Sequence, residues 1–342
     1  MAEAQIYPFF KHRAELEEKL RFVFDEIRIS NPKEIRTDLC VRHSNIVFIQ
    51  DRCFGGVKSE ERIDFLREFT GRARLVWLDS WDSTYANASG FSVLPYVDLY
   101  IKKQIFRDLS LYKNQYLDGR IFSDYLIREG NLKRIFTGSV IGHKAHWRKM
   151  VLGWNIGSKE GLDREFCKQN YKAFVNNDRS IDITCRVGTE KTPYREWYSF
   201  HRNLALKELS EMASEHMIVA THLKIPWDGY LNELRISKIT VSPFGWGEVC
   251  HRDFEAVIGG SLLIKPSVEH LNTLPNIYVS EKTYVPVKWD FSDLKEKCDY
   301  FIRNHAERNS IVKNAERQYA KYFQEKVFVR KIGEILDRLE LN

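Results

Sequence analysis

No apolar run in this chain of 342 residues approaches the ~18–20 residues that cross a bilayer, so no transmembrane helix is expected. The first twenty residues mix Glu, Lys, Arg and His without a continuous apolar stretch, which argues against a cleaved signal peptide. The six cysteines, at positions 40, 53, 167, 185, 250 and 298, form no CxxC pair and no Cys/His spacing of a zinc site. Reduced thiols in a cytoplasmic chain are therefore expected. Cys185 and Cys250 fall in apolar or glycine-containing stretches and should pack as small hydrophobes. Nine prolines and eighteen glycines are too few for a collagen-like or low-complexity chain. No repeat of solenoid length occurs, and neither a dinucleotide fingerprint nor a P-loop is present.

The remainder reads as an ordinary globular protein, with 43% apolar and 29% charged residues. The length suits two domains or one large one. The net charge of +6 is unevenly placed. From Lys102 to Lys149 there are eleven Lys/Arg against four Asp/Glu, which leaves the rest near neutral. Such a segment is either a solvated basic face or a meeting surface for an anionic partner.

Hydrophobic patterning divides the chain in two. Residues 1–30 carry apolar positions at helical spacing. After them come apolar runs at 45–50, 74–79 and 97–101, with a helix expected over 60–69. Residues 107–178 have weak periodicity, and the polar Asn176–Ser180 turn is a plausible boundary. The second half alternates expected strands at 181–186, 216–221, 238–242, 261–265 and 283–288 with helices at 194–212, 228–236 and 250–258, and two helices close the chain. Thr192 and Pro193 suit the start of the 194–212 helix. Strands alternating with helices imply parallel sheets and an α/β class.

The most informative stretch is KITVSPFGWGEVCHRDFEAVIGGSLLIKP, residues 238–266. A strand leads into a glycine-containing turn, a helix and another strand. Gly245 and Gly247 let the backbone approach a ligand, and the following helix N-terminus suits a phosphate. Arg252 and Glu255, three apart on that helix, are either an ordinary ion pair or a phosphate ligand beside a carboxylate for ribose hydroxyls. In the first half, Asp79 and Asp82 follow the 74–79 strand and Asp51 follows the 45–50 strand. That places all three at the carboxyl edge of a parallel sheet, where ligands of such sheets bind. They are candidate bases, Asp79 and Asp82 ahead of Asp51, unless Asp82 only caps its own turn. Trp81, Trp227 and Trp246 fall in expected loops, where a sugar or nucleobase could stack. His143 and His146 lack an evident third metal ligand.

Ser242-Pro243-x-Gly245-x-Gly247-Glu248, Arg252-x-x-Glu255 and Gly259-Gly260-x-Leu-Leu-Ile-Lys265-Pro266 together resemble the donor-binding segment of GT-B glycosyltransferases. The likeness is to the exostosin-like and spore-coat or polysaccharide branch. The resemblance implies two Rossmann-like domains facing a cleft: 1–178 on the acceptor side, 179–305 holding the nucleotide-sugar, and 306–342 as helices crossing back. It implies ribose binding at Glu255 and phosphate binding at Arg252. Arg186 and Arg195 are placed like diphosphate-binding arginines, and Lys224 could contact base or phosphate. The Glu248-to-Glu255 spacing is one residue shorter than the two-glutamate motif of many retaining relatives, so an inverting reaction is the expectation. The implied partners are a nucleotide-sugar donor, which is a substrate and not a cofactor, and a hydroxyl acceptor such as a glycan or lipid-linked molecule, which could be anionic. No essential metal is implied, nucleic acid is disfavoured, and peripheral membrane association stays open. The alternatives are a nucleotide-sugar 2-epimerase of the same fold and a non-catalytic basic binding protein.

Overall fold

A computed structural model describes residues 2–22, 43–85, 88–138, 140–141, 144–168, 179–189 and 196–340. The expected polar boundary at 176–178, the helix start at Thr192 and Pro193, and Arg195 and His143 lie outside the described residues.

The first lobe is built on four parallel strands. β1 is Ile46–Gln50, β2 Arg74–Asp79 and β3 Leu99–Lys102. β4, Gln104–Phe106, turns away, and β5, Met150–Leu152, completes the sheet in the order β1-β2-β3-β5. Val76, Leu78, Leu99 and Ile101 are almost wholly buried, as residues of a sheet covered on both faces should be. The register sets Asp79 beside Lys102. The expected N-terminal helix is two helices, Ala2–Lys11 and Arg13–Leu20, joined at His12. The helix Ser59–Phe69 matches expectation and buries Phe65, Leu66 and Phe69. Within 107–178, where periodicity was weak, the chain forms the helices Ile121–Glu129 and Glu160–Lys168 as well as β5.

The second lobe holds five parallel strands: β6, Ile181–Arg186; β7, Ile218–Thr221; β8, Ser237–Val241; β9, Leu262–Pro266; and, beyond β10 (Leu271–Thr273), β11, Val285–Val287. Their order is β11-β9-β8-β6-β7. The chain runs outward from β6 to β7 in one direction and from β8 through β9 to β11 in the other. The crevice at the carboxyl ends of β6 and β8 is thus the topological switch point, the position where open α/β sheets bind ligands. The intervening helices are Glu196–Glu211, Trp227–Arg235 and His251–Ile258.

Three helices close the chain, one more than expected: Leu294–Arg303, His305–Gln324 and Val327–Glu340. The last two reach first-lobe elements. Phe328 meets the rings of Phe9 and Trp154 edge-on at 5.1 and 4.7 Å, and the Tyr322 and Ser158 hydroxyls are 2.8 Å apart. β4 and β10 pair antiparallel across the lobes. One apolar cluster accordingly runs from the first sheet through Phe244, Phe254 and Tyr284 of the second lobe.

The excess positive charge of 102–149 does not form one face. Lys102, Lys103 and Arg120 are buried, the lysines in ion pairs with Asp79 and Asp82. This weakens the reading of the segment as a basic binding surface. No helix among the described residues is long and apolar enough to cross a membrane.

Candidate active site

A cavity of about 600 Å³ opens at the switch point of the second sheet. It brings together Asp82, Arg186, Lys224, Gly245, Gly247, Arg252 and Glu255 of the expected set, with Trp227 and Trp246. Asp51, Asp79, Ser242, Glu248 and Trp81 do not line it.

The helix His251–Ile258 carries two of these side chains, and its start is fixed by a buried network. Asp253 accepts from the Cys250 amide at 2.9 Å and from the hydroxyls of Ser242 at 2.5 Å and Tyr278 at 2.7 Å, and it pairs with Lys265 at 3.1 Å. The Cys250 thiol accepts the Asp253 amide in a capping box. Cys250 thus lines the cavity and caps a helix instead of only packing as a hydrophobe. Ser242 acts beneath the cavity floor, where it also accepts from Arg252 Nε at 3.2 Å.

Arg252 donates further to the carbonyls of Arg186 at 3.0 Å and Pro243 at 2.8 Å. Arg202, a cavity residue that sequence reasoning missed, is held in the same way. It donates to the carbonyls of Gly188 at 2.6 Å and Phe244 at 3.2 Å and lies over the Tyr198 ring at 3.8 Å. Neither guanidinium has a carboxylate partner among the described residues. Burial, followed by the charge of Arg252, pulls the Arg202 pKa below its ordinary value. Two like charges share this wall: Arg202 is met by carbonyl dipoles and the Tyr198 ring, and Arg252 by carbonyl dipoles, the Ser242 hydroxyl and the field of the Asp253 and Glu255 carboxylates. Such an arrangement favours an anion. The sequence signal for Arg202 is a charge on the inward stripe of its helix with Ala205 and Leu209.

Arg186 is committed elsewhere. Its Nε and Nη2 grip Glu233 at 2.8 and 2.6 Å, and its Nη1 reaches the Leu223 carbonyl at 2.9 Å. Glu255, on the cavity wall, is pushed up to about 7, chiefly by burial, with Arg252 and Tyr230 opposing. Lys224 stands on an exposed rim with His222, Leu223, Ile225 and Trp227.

The first-lobe aspartates separate sharply. The Asp79 carboxylate is sealed: its Oδ2 takes Lys102 Nζ at 2.6 Å and the Tyr100 hydroxyl at 2.8 Å, and its Oδ1 takes the Trp81 amide at 2.8 Å. Asp51 lies outside the cavity with a buried, unpartnered Oδ1, and burial and the Asp79 charge push it up to about 6. Asp82 alone of the three reaches the cavity, its Oδ1 held by Lys103 Nζ at 2.9 Å. His251, a second lining residue missed in the sequence, has its pKa lowered by burial and then by Lys159, with Asp82 opposing.

The glycines play different parts. A Cβ on Gly245 would meet Cys250 Sγ at 3.3 Å and Arg202 Nη2 at 3.4 Å. A Cβ on Gly247 would meet the Asp82 carbonyl oxygen at 1.7 Å, so Gly247 admits the other lobe and not a ligand. Glu248 is turned away from the cavity, and its Oε2 accepts the Thr84 amide at 3.1 Å.

No protein-family model matches the chain, and no curated protein matches it. Among solved structures, a UDP-forming alpha,alpha-trehalose-phosphate synthase from Burkholderia vietnamiensis superposes with a TM-score of 0.50 at 10% identity, over 99% of this chain and 85% of its own. The fold is GT-B. Looser GT-B likenesses are a sucrose-phosphate synthase from Thermosynechococcus elongatus (TM-score 0.46, 12% identity, 87% and 74% coverage) and Anabaena Alr3699/HepE, solved with UDP-glucose (0.43, 10%, 86% and 78%). In GT-B terms, the cavity lies at the carboxyl edge of the second Rossmann-like lobe, facing the first.

Proposed function

We propose that the chain is a glycosyltransferase that moves a sugar from a nucleotide-diphosphate sugar to a hydroxyl acceptor with inversion, and that it belongs near the exostosin-like and polysaccharide branch. The observation that carries this reading is the convergence of Arg202 and Arg252, without a carboxylate partner among the described residues, on a switch-point cavity. The domain assignment of the reading gives the donor to residues 179–305, the acceptor to 1–178 and a bracing role to 306–342.

In this reading the two guanidinium groups hold the diphosphate and meet the charge that develops on the leaving group, so no metal is required for it. Glu255 accepts from the ribose hydroxyls. Trp227, on the rim, offers a face to the nucleobase. Asp82 takes the acceptor proton while the acceptor oxygen bonds to the anomeric carbon and the carbon–oxygen bond to the diphosphate breaks. Arg186 and Lys224 have supporting places at the rim, Arg186 through its pair with Glu233. In this reading the acceptor hydroxyl belongs to a glycan or lipid-linked molecule, and the chain acts in the cytoplasm.

The test is a panel of nucleotide-sugars screened by thermal shift, followed by calorimetry on Glu255→Ala. At least one uridine or other nucleoside diphosphate should raise the melting temperature, and Glu255→Ala should weaken it. A panel that shifts nothing would remove the donor site. Donor turnover without any acceptor would favour the epimerase.

A further inference from the structure

The cavity draws on the first lobe through Asp82 and Ile156, and only the first of these carries a charge. The position of Asp82 therefore decides whether a first-lobe carboxylate faces the donor site at all. We propose that Gly247 is a positioning residue: the absence of a Cβ lets the first-lobe loop around residues 80–85 press onto the glycine turn and holds Asp82 in the cavity. The chemical role of Asp82 rests on the glycosyltransferase reading; the seam itself does not.

A Cβ at position 247 would sit 1.7 Å from the Asp82 carbonyl oxygen and 2.4 Å from its carbon, both backbone atoms that cannot swing aside. The same backbone is pinned from its own lobe. Gln104 Nε2 donates to the Asp82 carbonyl at 2.5 Å, and Lys103 holds the carboxylate. On either side of the contact the lobes exchange hydrogen bonds. The Thr84 amide donates to Glu248, which is 1% exposed, and Arg120 Nε donates to the Trp246 carbonyl at 2.6 Å.

Further along, the seam continues. The Arg107 amide donates to the His270 carbonyl at 2.8 Å beside the β4–β10 ladder. The Asn155 amide donates to the Leu274 carbonyl at 2.6 Å, and the Trp197 indole donates to Asp118 at 3.1 Å. A second glycine repeats the device: a Cβ on Gly157 would lie 2.4 Å from the Phe254 ring. Opening the cleft by rotation would break these bonds together, strip Glu248 of its buried partner and split one continuous apolar core.

Hydrogen exchange, kinetics and calorimetry with UDP as the probe test this. In the wild type, the Thr84 amide should exchange as slowly as amides within β2 and β8. Gly247→Ala should speed Thr84 exchange by about tenfold or more while β8 stays protected. With a donor that turns over, it should lower kcat about tenfold with little change in donor KM. Gly161→Ala, where a Cβ meets nothing within 4 Å, should change none of these. Fast Thr84 exchange in the wild type, or a Gly247→Ala variant that leaves Thr84 exchange and kcat unchanged, would overturn the proposal. Failure of UDP to bind would instead count against the donor site, and the exchange measurement on the wild type would still decide the seam.

Discussion

Arg202 donates to two backbone carbonyls, and Arg252 to two backbone carbonyls and the Ser242 hydroxyl, which fixes the planes of the two guanidinium groups without an ion pair among the described residues. An anion entering the cavity therefore gains two charge-assisted partners that are already oriented. Hydrogen bonds to charged groups contribute ~1.5–3 kcal/mol, so Arg202→Ala should weaken UDP binding by about tenfold to a hundredfold in calorimetry. Glu255 sets a pH dependence. Its carboxyl, raised from an ordinary 4.5 to about 7 in the folded chain, is mostly protonated at pH 6 and mostly ionised at pH 8, and the ionised form accepts the stronger, charge-assisted bonds from hydroxyls. Affinity for a nucleotide-sugar should rise with pH across that window and flatten in Glu255→Gln. The stability linkage has the opposite sign: folded Glu255 holds its proton more tightly than the unfolded chain does, so its contribution is full below about 4.5 and is lost as pH rises through about 7. Asp79 and Asp82 look alike in the sequence, yet the parallel register places only Asp79 opposite Lys102 and buries both. Lys102→Met would leave that carboxylate unpaired and should cost ~3–5 kcal/mol in denaturant unfolding.

The glycine turn, the helix His251–Ile258 and β9 form one unit whose rigidity comes from Asp253 and Lys265, both fully buried beneath the cavity. At the other end of the chain, the helix Val327–Glu340 packs Phe328 against Phe9 and Trp154, which also meet each other. Phe328→Ala should destabilise the protein by ~3–5 kcal/mol, measured by denaturant unfolding. Elements of this kind differ in how far the sequence declares them. β2 and β6 fall where their apolar runs say, because buried parallel strands read as unbroken hydrophobic stretches. β4, β5 and β10 are three residues each, too short to carry a period, and two of them exist only because the lobes meet. The residues of the glycine turn were legible as a unit. Arg202 was not, since a charge inside an apolar helical stripe has no meaning until the carbonyls that hold it are in place.

Across the whole molecule, one apolar cluster reaches from the first sheet to one face of the second, whose strands otherwise pack in a second cluster, and the closing helices lie on both lobes. Calorimetry should accordingly show one cooperative transition and not two separable ones. Donor binding, however, rests on the wall of the cavity. Its most direct test is a crystal structure of the chain grown with UDP. The diphosphate oxygens should lie at hydrogen-bonding distance, about 2.7–3.2 Å, from the guanidinium groups of both Arg202 and Arg252, with the ribose turned to Glu255. UDP seated elsewhere, or a cavity that stays empty at saturating nucleotide, would contradict it.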